Sequence, residues 1–244
     1  MIFLILPAYN EKKNLIRMFK KLNNLKKLSR NITVILVDDC SRDKTQKLKK
    51  IKNRFKLIYL KHIKNMGLSY ALQTGFKNIK NKLRDQDLII TMDSDNTHPI
   101  ALIPKMIFKM KKDKSDIMIA SRFLKNSKIK GLSCFRKALS EFAKIIFKFF
   151  FPYKNLTEYT CNYRIYRPFL IKKLNKQKNF FENEDFNIAA KILVFFIKNI
   201  NSIRISEYPL TLSYQLKVGN SKMKVLKNIF LTLKLIIREY TKSK

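Results

Sequence analysis

Two aspartates one residue apart, Asp93-Ser94-Asp95, are the part of this sequence best suited to chemistry. They follow an apolar run, Leu88–Met92, that reads as a strand. In an extended segment residues i and i+2 project to the same side. Both carboxylates can then face one hard cation, Mg²⁺ or Mn²⁺, with positions left for diphosphate oxygens. The same triplet also fits a solvated turn, and spacing alone leaves both readings open. Other acids end apolar runs in the same way: Glu11 in Pro7-Ala8-Tyr9-Asn10-Glu11, and Asp38 and Asp39 before Cys40-Ser41. Asp38 fits a capping role as well as a ligand contact.

The elements that must position these acids follow from periodicity. Strands are expected at Met1–Leu6, Ile32–Val37, Leu57–Leu60, Leu88–Met92 and Ile117–Ala120. Between them apolar residues recur at helical spacing, as in Leu15, Met18, Phe19, Leu22 and Leu25, and in Leu102, Ile103, Met106, Ile107 and Met110. Unbroken apolar strands alternating with helices predict an α/β fold, a mostly parallel sheet covered on both faces. Ligands of such sheets sit outside the carboxyl ends of the strands, and the acids above converge on that edge.

Two later helices are unusually greasy. Ala138–Phe151 carries a narrow polar stripe of Lys137, Glu141, Lys144 and Lys148. Lys222–Arg238 sets Lys224, Lys227, Lys234 and Arg238 against Val225, Leu226, Ile229, Phe230, Leu233 and Ile236. Such arcs suit an anionic lipid surface, or packing on the sheet or on a second copy.

Composition narrows the classes. The chain has 244 residues and a net charge of +36, with 42 lysines but 11 arginines. That excess admits an anionic partner or a lysine-rich coding bias, and makes arginine the better guide to a specifically placed cation. At 46% hydrophobic the sequence can build a core rather than a disordered polycation. Four glycines exclude collagen-like and Gly-rich phosphate-loop designs. Three dispersed cysteines (Cys40, Cys134, Cys161) argue against a disulfide framework or zinc site. No signal peptide and no membrane-spanning run is read, so a soluble or peripheral protein is expected.

The pieces also occur in a telling order. Pro7–Glu11, Val37-Asp38-Asp39-Cys40-Ser41, Asn65-Met66-Gly67-Leu68 with Ala71–Phe76, Met92–Pro99 and Ala120-Ser121-Arg122-Phe123 are followed by Thr157–Arg167 and Val218-Gly219-Asn220-Ser221-Lys222-Met223. Together they resemble glycosyltransferase family 2, most closely its polyprenyl-phosphate branch. The resemblance implies a GT-A-type, Rossmann-like catalytic domain over residues 1–215, with residues 216–244 forming a phosphate-contacting loop and a C-terminal amphipathic interface helix. It implies a metal-dependent, inverting transfer of a hexose (mannose or glucose) from a nucleotide-diphosphate sugar to polyprenyl phosphate, by a peripheral protein on the cytoplasmic side of a membrane. Carried onto this chain, Pro7, Tyr9, Glu11, Val37 and Asp39 would hold the nucleoside. Asp93, Ser94 and Asp95 would take the sugar-diphosphate, and Lys222 would neutralise phosphate charge. Asp93 and Asp95 would hold Mg²⁺ or Mn²⁺, with Thr97 as a further metal contact, and Asp93, Asp95 and Arg122 would be catalytic.

The acceptor follows from acid–base chemistry. A hydroxyl needs a general base. A phosphate monoester, with a second pKa of about 6, is already mostly dianionic and needs cations instead. Arg122, and Arg136 before the first greasy helix, supply them. Thr97 stands where the branch often has Gln, Leu216 where it often has Arg, and Asn162 where a small residue is usual. His98, before Pro99, reads as a turn residue or a diphosphate contact. Glu182, Glu184 and Asp185 could supply a base, which keeps a glycan-hydroxyl acceptor as the alternative. A nucleic-acid-binding protein rests on charge alone and leaves the acidic strand ends unexplained; no nucleic-acid partner is expected.

Overall fold

The computed structural model describes residues 1–182, 187–216 and 225–241. Among these the chain runs β1 (Ile2–Ala8), α1 (Lys12–Asn24), α2 (Lys26–Ser29), β2 (Ile32–Asp38), β3 (Lys56–Lys61), α3 (Leu68–Ile79), β4 (Leu88–Thr91), α4 (Ile103–Lys112) and β5 (Ile117–Ser121). It continues with β6 (Lys128–Lys130), α5 (Cys134–Phe150), β7 (Arg164–Tyr166), α6 (Pro168–Leu174), α7 (Ile188–Asn199), β8 (Ile205–Pro209), β9 (Thr211–Ser213) and α8 (Val225–Thr241). Seven strands form one sheet in the order β3-β2-β1-β4-β7-β5-β8. Its neighbours pair in parallel except around β7, which is antiparallel to both β4 and β5.

The strands are apolar throughout because both faces are covered. In β1, Phe3 and Ile5 enter the core under α3, α6 and α7, while Leu4, Leu6 and Ala8 enter the opposite core under α1 and α4. β2 divides the same way, Ile35 and Val37 against Val34 and Leu36. The α1 stripe Leu15, Met18, Phe19 and Leu22 is buried, as is Ile103, Met106 and Met110 of α4. All five expected strands form, so the α/β, mostly parallel arrangement is present; β7 and β8 are additions.

Three strand ends turn sharply. Asn10 after β1, Cys40 after β2 and Asn96 after β4 all adopt positive φ, at 55°, 63° and 63°. Such residues reverse the chain just beyond the sheet, so the acids stay at its edge. The loops are tied together: Asn10 N–H donates to Ser41 Oγ at 2.8 Å, and Asn10 Oδ1 accepts Arg42 N–H at 2.7 Å.

The greasy helices divide their apolar arcs. α5 buries Phe147, and α8 sends Leu235 and Ile236 into the core. Phe135, Phe142, Ile145 and Phe149 of α5 stay exposed, Phe149 at 78%, as do Phe230, Leu233, Ile237 and Tyr240 of α8. Packing therefore accounts for one side of each helix and leaves an apolar face outward on each. No helix among the described residues is long and apolar enough to cross a membrane.

Gly75 sets the approach of α3 to β1. A Cβ there would meet Ile5 Cγ2 at 2.6 Å, and Ile5 has no exposed surface. Gly75→Ala is expected to destabilise by about 1–3 kcal/mol through overpacking, read as a lower urea midpoint with unchanged m-value.

Candidate active site

The carboxyl edge of the sheet opens into a cleft of about 580 Å³. Its polar end is lined by Pro7, Ala8, Tyr9 and Glu11 after β1, Asp39 after β2, Asn65 and Gly67 before α3, and Asp93, Ser94, Asp95, Thr97 and His98 after β4. Arg122, Thr160, Cys161, Asn162 and Tyr214 form its middle, with Arg136 and Ser140 at the foot of α5. Beyond them Leu139, Phe142, Ala143 and Ile146 of α5 face Ile229 and Leu233 of α8. Acidic edge, arginines and apolar groove are thus one continuous space.

The two adjacent acids after β2 behave differently. Asp38 has no exposed surface; it accepts Ser41 N–H at 2.8 Å and the Tyr59 hydroxyl. Burial, then this bond to Asp38, raises the Tyr59 phenol well above its usual range. Asp38 is therefore a turn anchor, not a cleft residue. Asp39 lines the cleft, held by N–H groups of Met66 and Gly67 at 2.8 Å each and by His62 Nδ1 at 2.7 Å. Gly67 reaches it with φ of 89°, a conformation open to glycine. His62 Nε2 meets Thr74 Oγ1 at 2.9 Å. Val37 is wholly buried in the sheet core, beneath the cleft rather than in it.

The loop after β4 is held from three sides. Ser94 Oγ donates to Pro7 O at 2.7 Å, joining it to β1. Thr97 donates its N–H and its hydroxyl to Asp95 Oδ1, at 3.1 and 2.6 Å. Asn162 Nδ2 donates to Asp93 Oδ1 at 3.0 Å, so the residue standing in place of a small one fixes an acid. Asp93 keeps 40% of its side chain exposed. Asn96 Nδ2 bonds Leu216 O at 3.2 Å, bringing the position without the usual Arg onto this loop.

Arg122 is less free than its sequence position implies. Its Nε and Nη2 donate to both oxygens of Glu158, at 2.7 and 2.9 Å, and Nη2 also reaches Thr160 Oγ1 at 2.6 Å. Glu158 has no exposed surface and accepts the N–H groups of Thr160 and Cys161 at 2.9 and 3.0 Å. Burial alone would push its carboxyl up; the Arg122 charge and these donors overcome that and hold it at about 2. Burial would likewise lower Arg122, and Glu158 more than reverses it. Glu207 in turn accepts N–H bonds from Thr157 and Glu158, at 3.1 and 2.6 Å, and burial pushes its carboxyl up.

Arg136 sits in the first turn of α5, where its N–H donates to the Ser133 cap at 3.4 Å, with Ser140 one turn further on. Lys222, Glu184 and Asp185 lie outside the described residues; Glu182 is exposed and does not line the cleft. Sequence reasoning missed Glu158, Glu207 and His62. For Glu158 the available signal was a lone acid within the Thr157–Arg167 motif.

Glu158→Gln would leave the largely enclosed Arg122 without a counter-ion, at an expected cost of about 3 kcal/mol. Because the folded carboxyl is depressed, the pair's contribution is fully present above the ordinary carboxylate value near 4.3. It is lost only as pH falls towards 2. Urea midpoints of both proteins across that range check this: the gap between them is expected to persist at neutral pH and shrink in acid.

Comparison with known proteins agrees with this geometry. The description "Glycosyl transferase family 2" fits residues 3–175. The chain is 29% identical over 240 residues to the dolichol-phosphate mannosyltransferase of Pyrococcus furiosus, covering 97% of itself and 63% of that protein. It is 31% identical over 152 residues to the UDP-N-acetylglucosamine–dolichyl-phosphate N-acetylglucosaminyltransferase of Methanococcus voltae, covering 56% and 58%. The chain thus spans under two thirds of either relative. Among solved structures, S. aureus TarS with UDP-GlcNAc superposes with a TM-score of 0.64 at 19% identity, covering 98% of this chain and 66% of that one. Glucosyl-3-phosphoglycerate synthase of Mycobacterium tuberculosis, with Mn²⁺, UDP and glucosyl-3-phosphoglycerate, gives 0.66 at 14%, covering 100% and 79%. These two share the GT-A arrangement with this chain. With the ordered motifs on one sheet edge and a family match over most of its length, the chain belongs to glycosyltransferase family 2.

Proposed function

We propose that this chain transfers a hexose from a nucleotide-diphosphate sugar to polyprenyl phosphate, as a peripheral protein on the cytoplasmic face of a membrane. The observation that carries this reading is the continuity of one cleft, from Asp93 and Asp95 past Arg122 and Arg136 into the groove between α5 and α8. A soluble sugar acceptor has no use for a groove lined by Leu139, Phe142, Ile146, Ile229 and Leu233; a polyprenyl chain does. The names of the Pyrococcus and Methanococcus relatives support a lipid-phosphate acceptor.

In this reading Pro7, Tyr9, Glu11 and Asp39 receive the nucleoside, with Val37 backing them from the core. Asp39, fixed by three donors, presents an oriented carboxylate to a base N–H. Ser94 holds the strand-end loop against Pro7. Lys222 and the loop containing it belong to the donor phosphates, residues 216–244 serving as an appendage to a catalytic domain over 1–215. Mg²⁺ or Mn²⁺ fits at Asp93 and Asp95, since such ions take one or two carboxylates beside phosphate oxygens. Among the described residues no three His, Cys, Asp or Glu side chains gather into a metal site on their own. The ion would supply charge stabilisation to the departing nucleoside diphosphate.

The acceptor phosphate brings its own nucleophilic oxygen, so the chain's task is to aim it at the anomeric carbon, opposite the leaving group. Arg136 and the N-terminus of α5 attract that dianion. Arg122, already neutralised by Glu158, contributes direction more than net charge. The exposed faces of α5 and α8 would rest in the lipid interface, flanked by lysines.

A glycan-hydroxyl acceptor is the second reading; the structural neighbour's complex with glucosyl-3-phosphoglycerate holds a sugar joined to a small non-lipid hydroxyl compound. Incubation with labelled UDP- and GDP-sugars, polyprenyl phosphate and membranes decides between them. Lipid-linked product is expected; product on soluble oligosaccharide alone, or none on lipid with any donor, overturns the proposal. Asp95→Ala is expected to abolish transfer and Glu184→Ala to retain most of it, whereas loss of turnover in Glu184→Ala points to a carboxylate base. Phe149→Asp is expected to weaken flotation with anionic vesicles about tenfold or more, from the lost burial of one aromatic side chain.

A further inference from the structure

We infer that His98 is a nitrogen ligand, through Nδ1, of the divalent ion at Asp93, and that this site therefore selects Mn²⁺ over Mg²⁺. The inference rests on the metal-dependent reading above and goes beyond it in naming a ligand and a preference.

His98 is only 4% exposed, yet its Nδ1 has no hydrogen-bond partner among the described residues. A buried ring nitrogen without a partner is costly and calls for a ligand. Nδ1 faces Asp93 Oδ2 at 3.9 Å. That is too long for a hydrogen bond. It lies between the roughly 3.0 Å that separates adjacent ligands and the roughly 4.2 Å that separates opposite ligands around an octahedral ion with bonds of about 2.1 Å, so an ion held by both atoms needs a small side-chain shift. Asn162, bonded to Oδ1, leaves Oδ2 as the oxygen beside the imidazole. The other ring nitrogen, Nε2, lies 3.9 Å from Cys161 Sγ, a sulfur that already accepts the Tyr163 N–H; with the proton on Nε2 facing that sulfur, Nδ1 is left as a lone-pair donor for an ion. The Tyr163 ring, 5.2 Å away between centroids, fixes the imidazole plane. Thr97 directs its hydroxyl proton to Asp95, which makes His98 a better partner than Thr97 for an ion held at Asp93.

An imidazole among oxygen ligands discriminates between metals. Nitrogen donors suit Mn²⁺ and later ions, while Mg²⁺ keeps to oxygen. The chain also makes the test clean, because it has two histidines and His62 has both nitrogens engaged, by Asp39 and Thr74.

The experiment is pulsed electron paramagnetic resonance of Mn²⁺ bound to the full chain with UDP or GDP, in unlabelled and ¹⁵N-histidine protein. A directly bound imidazole coupling that changes with the label is expected. His98→Ala and His98→Gln should both lose it, with Mn²⁺ affinity falling about 10–100-fold and Mg²⁺ affinity changing less than threefold. Circular dichroism melts check that the variants fold; the isotope measurement on the unmutated chain needs no variant. Bound Mn²⁺ without a histidine coupling overturns the inference alone, and assigns His98 a proton-mediated contact to Asp93 instead. Equal losses of Mn²⁺ and Mg²⁺ affinity also overturn it. No Mn²⁺ binding with either nucleotide overturns both the inference and the metal-dependent reading beneath it.

Discussion

A single desolvated carboxylate governs the middle of the cleft. An ionised group without water is tolerated only when its oxygens are fully engaged. Glu158 meets that requirement by drawing in the Arg122 guanidinium and the backbone of Thr160 and Cys161. The chain must wrap tightly around it, and that wrapping delivers Asn162 to Asp93. The cation at one strand end and the acid at another are thereby set by the same buried charge. Glu207 extends the constraint to β8, since its bonds to Thr157 and Glu158 hang the whole segment from the edge of the sheet.

The antiparallel β7 explains why one segment can reach both ends. β4 and β5 run parallel to each other but are separated by β7, which pairs with both. Because β7 runs the opposite way, the residues just before it lie at the edge where β4 and β5 finish. A parallel strand in that place would put its start at the far edge, and residues 158–163 would be lost to the site. Arg164, fully buried, fixes the entry by donating to the carbonyls of Cys161, Tyr159 and Ala189, which also locks the segment onto α7.

Much of this was legible in the sequence because it is local. The five main strands are unbroken apolar runs, and the acids at their ends follow from the alternation of strand and helix. The helical arcs of α1, α4 and α5 are visible at a spacing of three and four. What was not legible depends on partners far along the chain. β7 is three residues with an arginine at its head, too short and too polar to read as a strand. Asp38 and Asp39 look equivalent in sequence; the Tyr59 hydroxyl, 21 residues on, anchors one, and His62 and Gly67 orient the other. Val37 carried a family expectation, but strand alternation sends it into the core.

The arginines show how composition must be read together with burial. In a chain with 42 lysines, arginine marks places where a planar, multidentate cation is needed. Some of that need is structural: Arg164 and Arg122 hold the segment around Glu158, and the exposed Arg204 bonds Asp116 between neighbouring strands. An arginine in a cleft is therefore not automatically a ligand-binding charge, because its carboxylate partner has already set its orientation and cancelled its field. Arg136 differs in setting. It stands in the first turn of a helix, at the junction of polar cleft and apolar groove, and enters no ion pair among the described residues. A cation there retains its attraction for an arriving anion, and the helix dipole adds to it. Within the +36 charge, Arg164 and Arg122 thus act as fasteners around Glu158, and Arg136 stands where the cleft has charge left to offer.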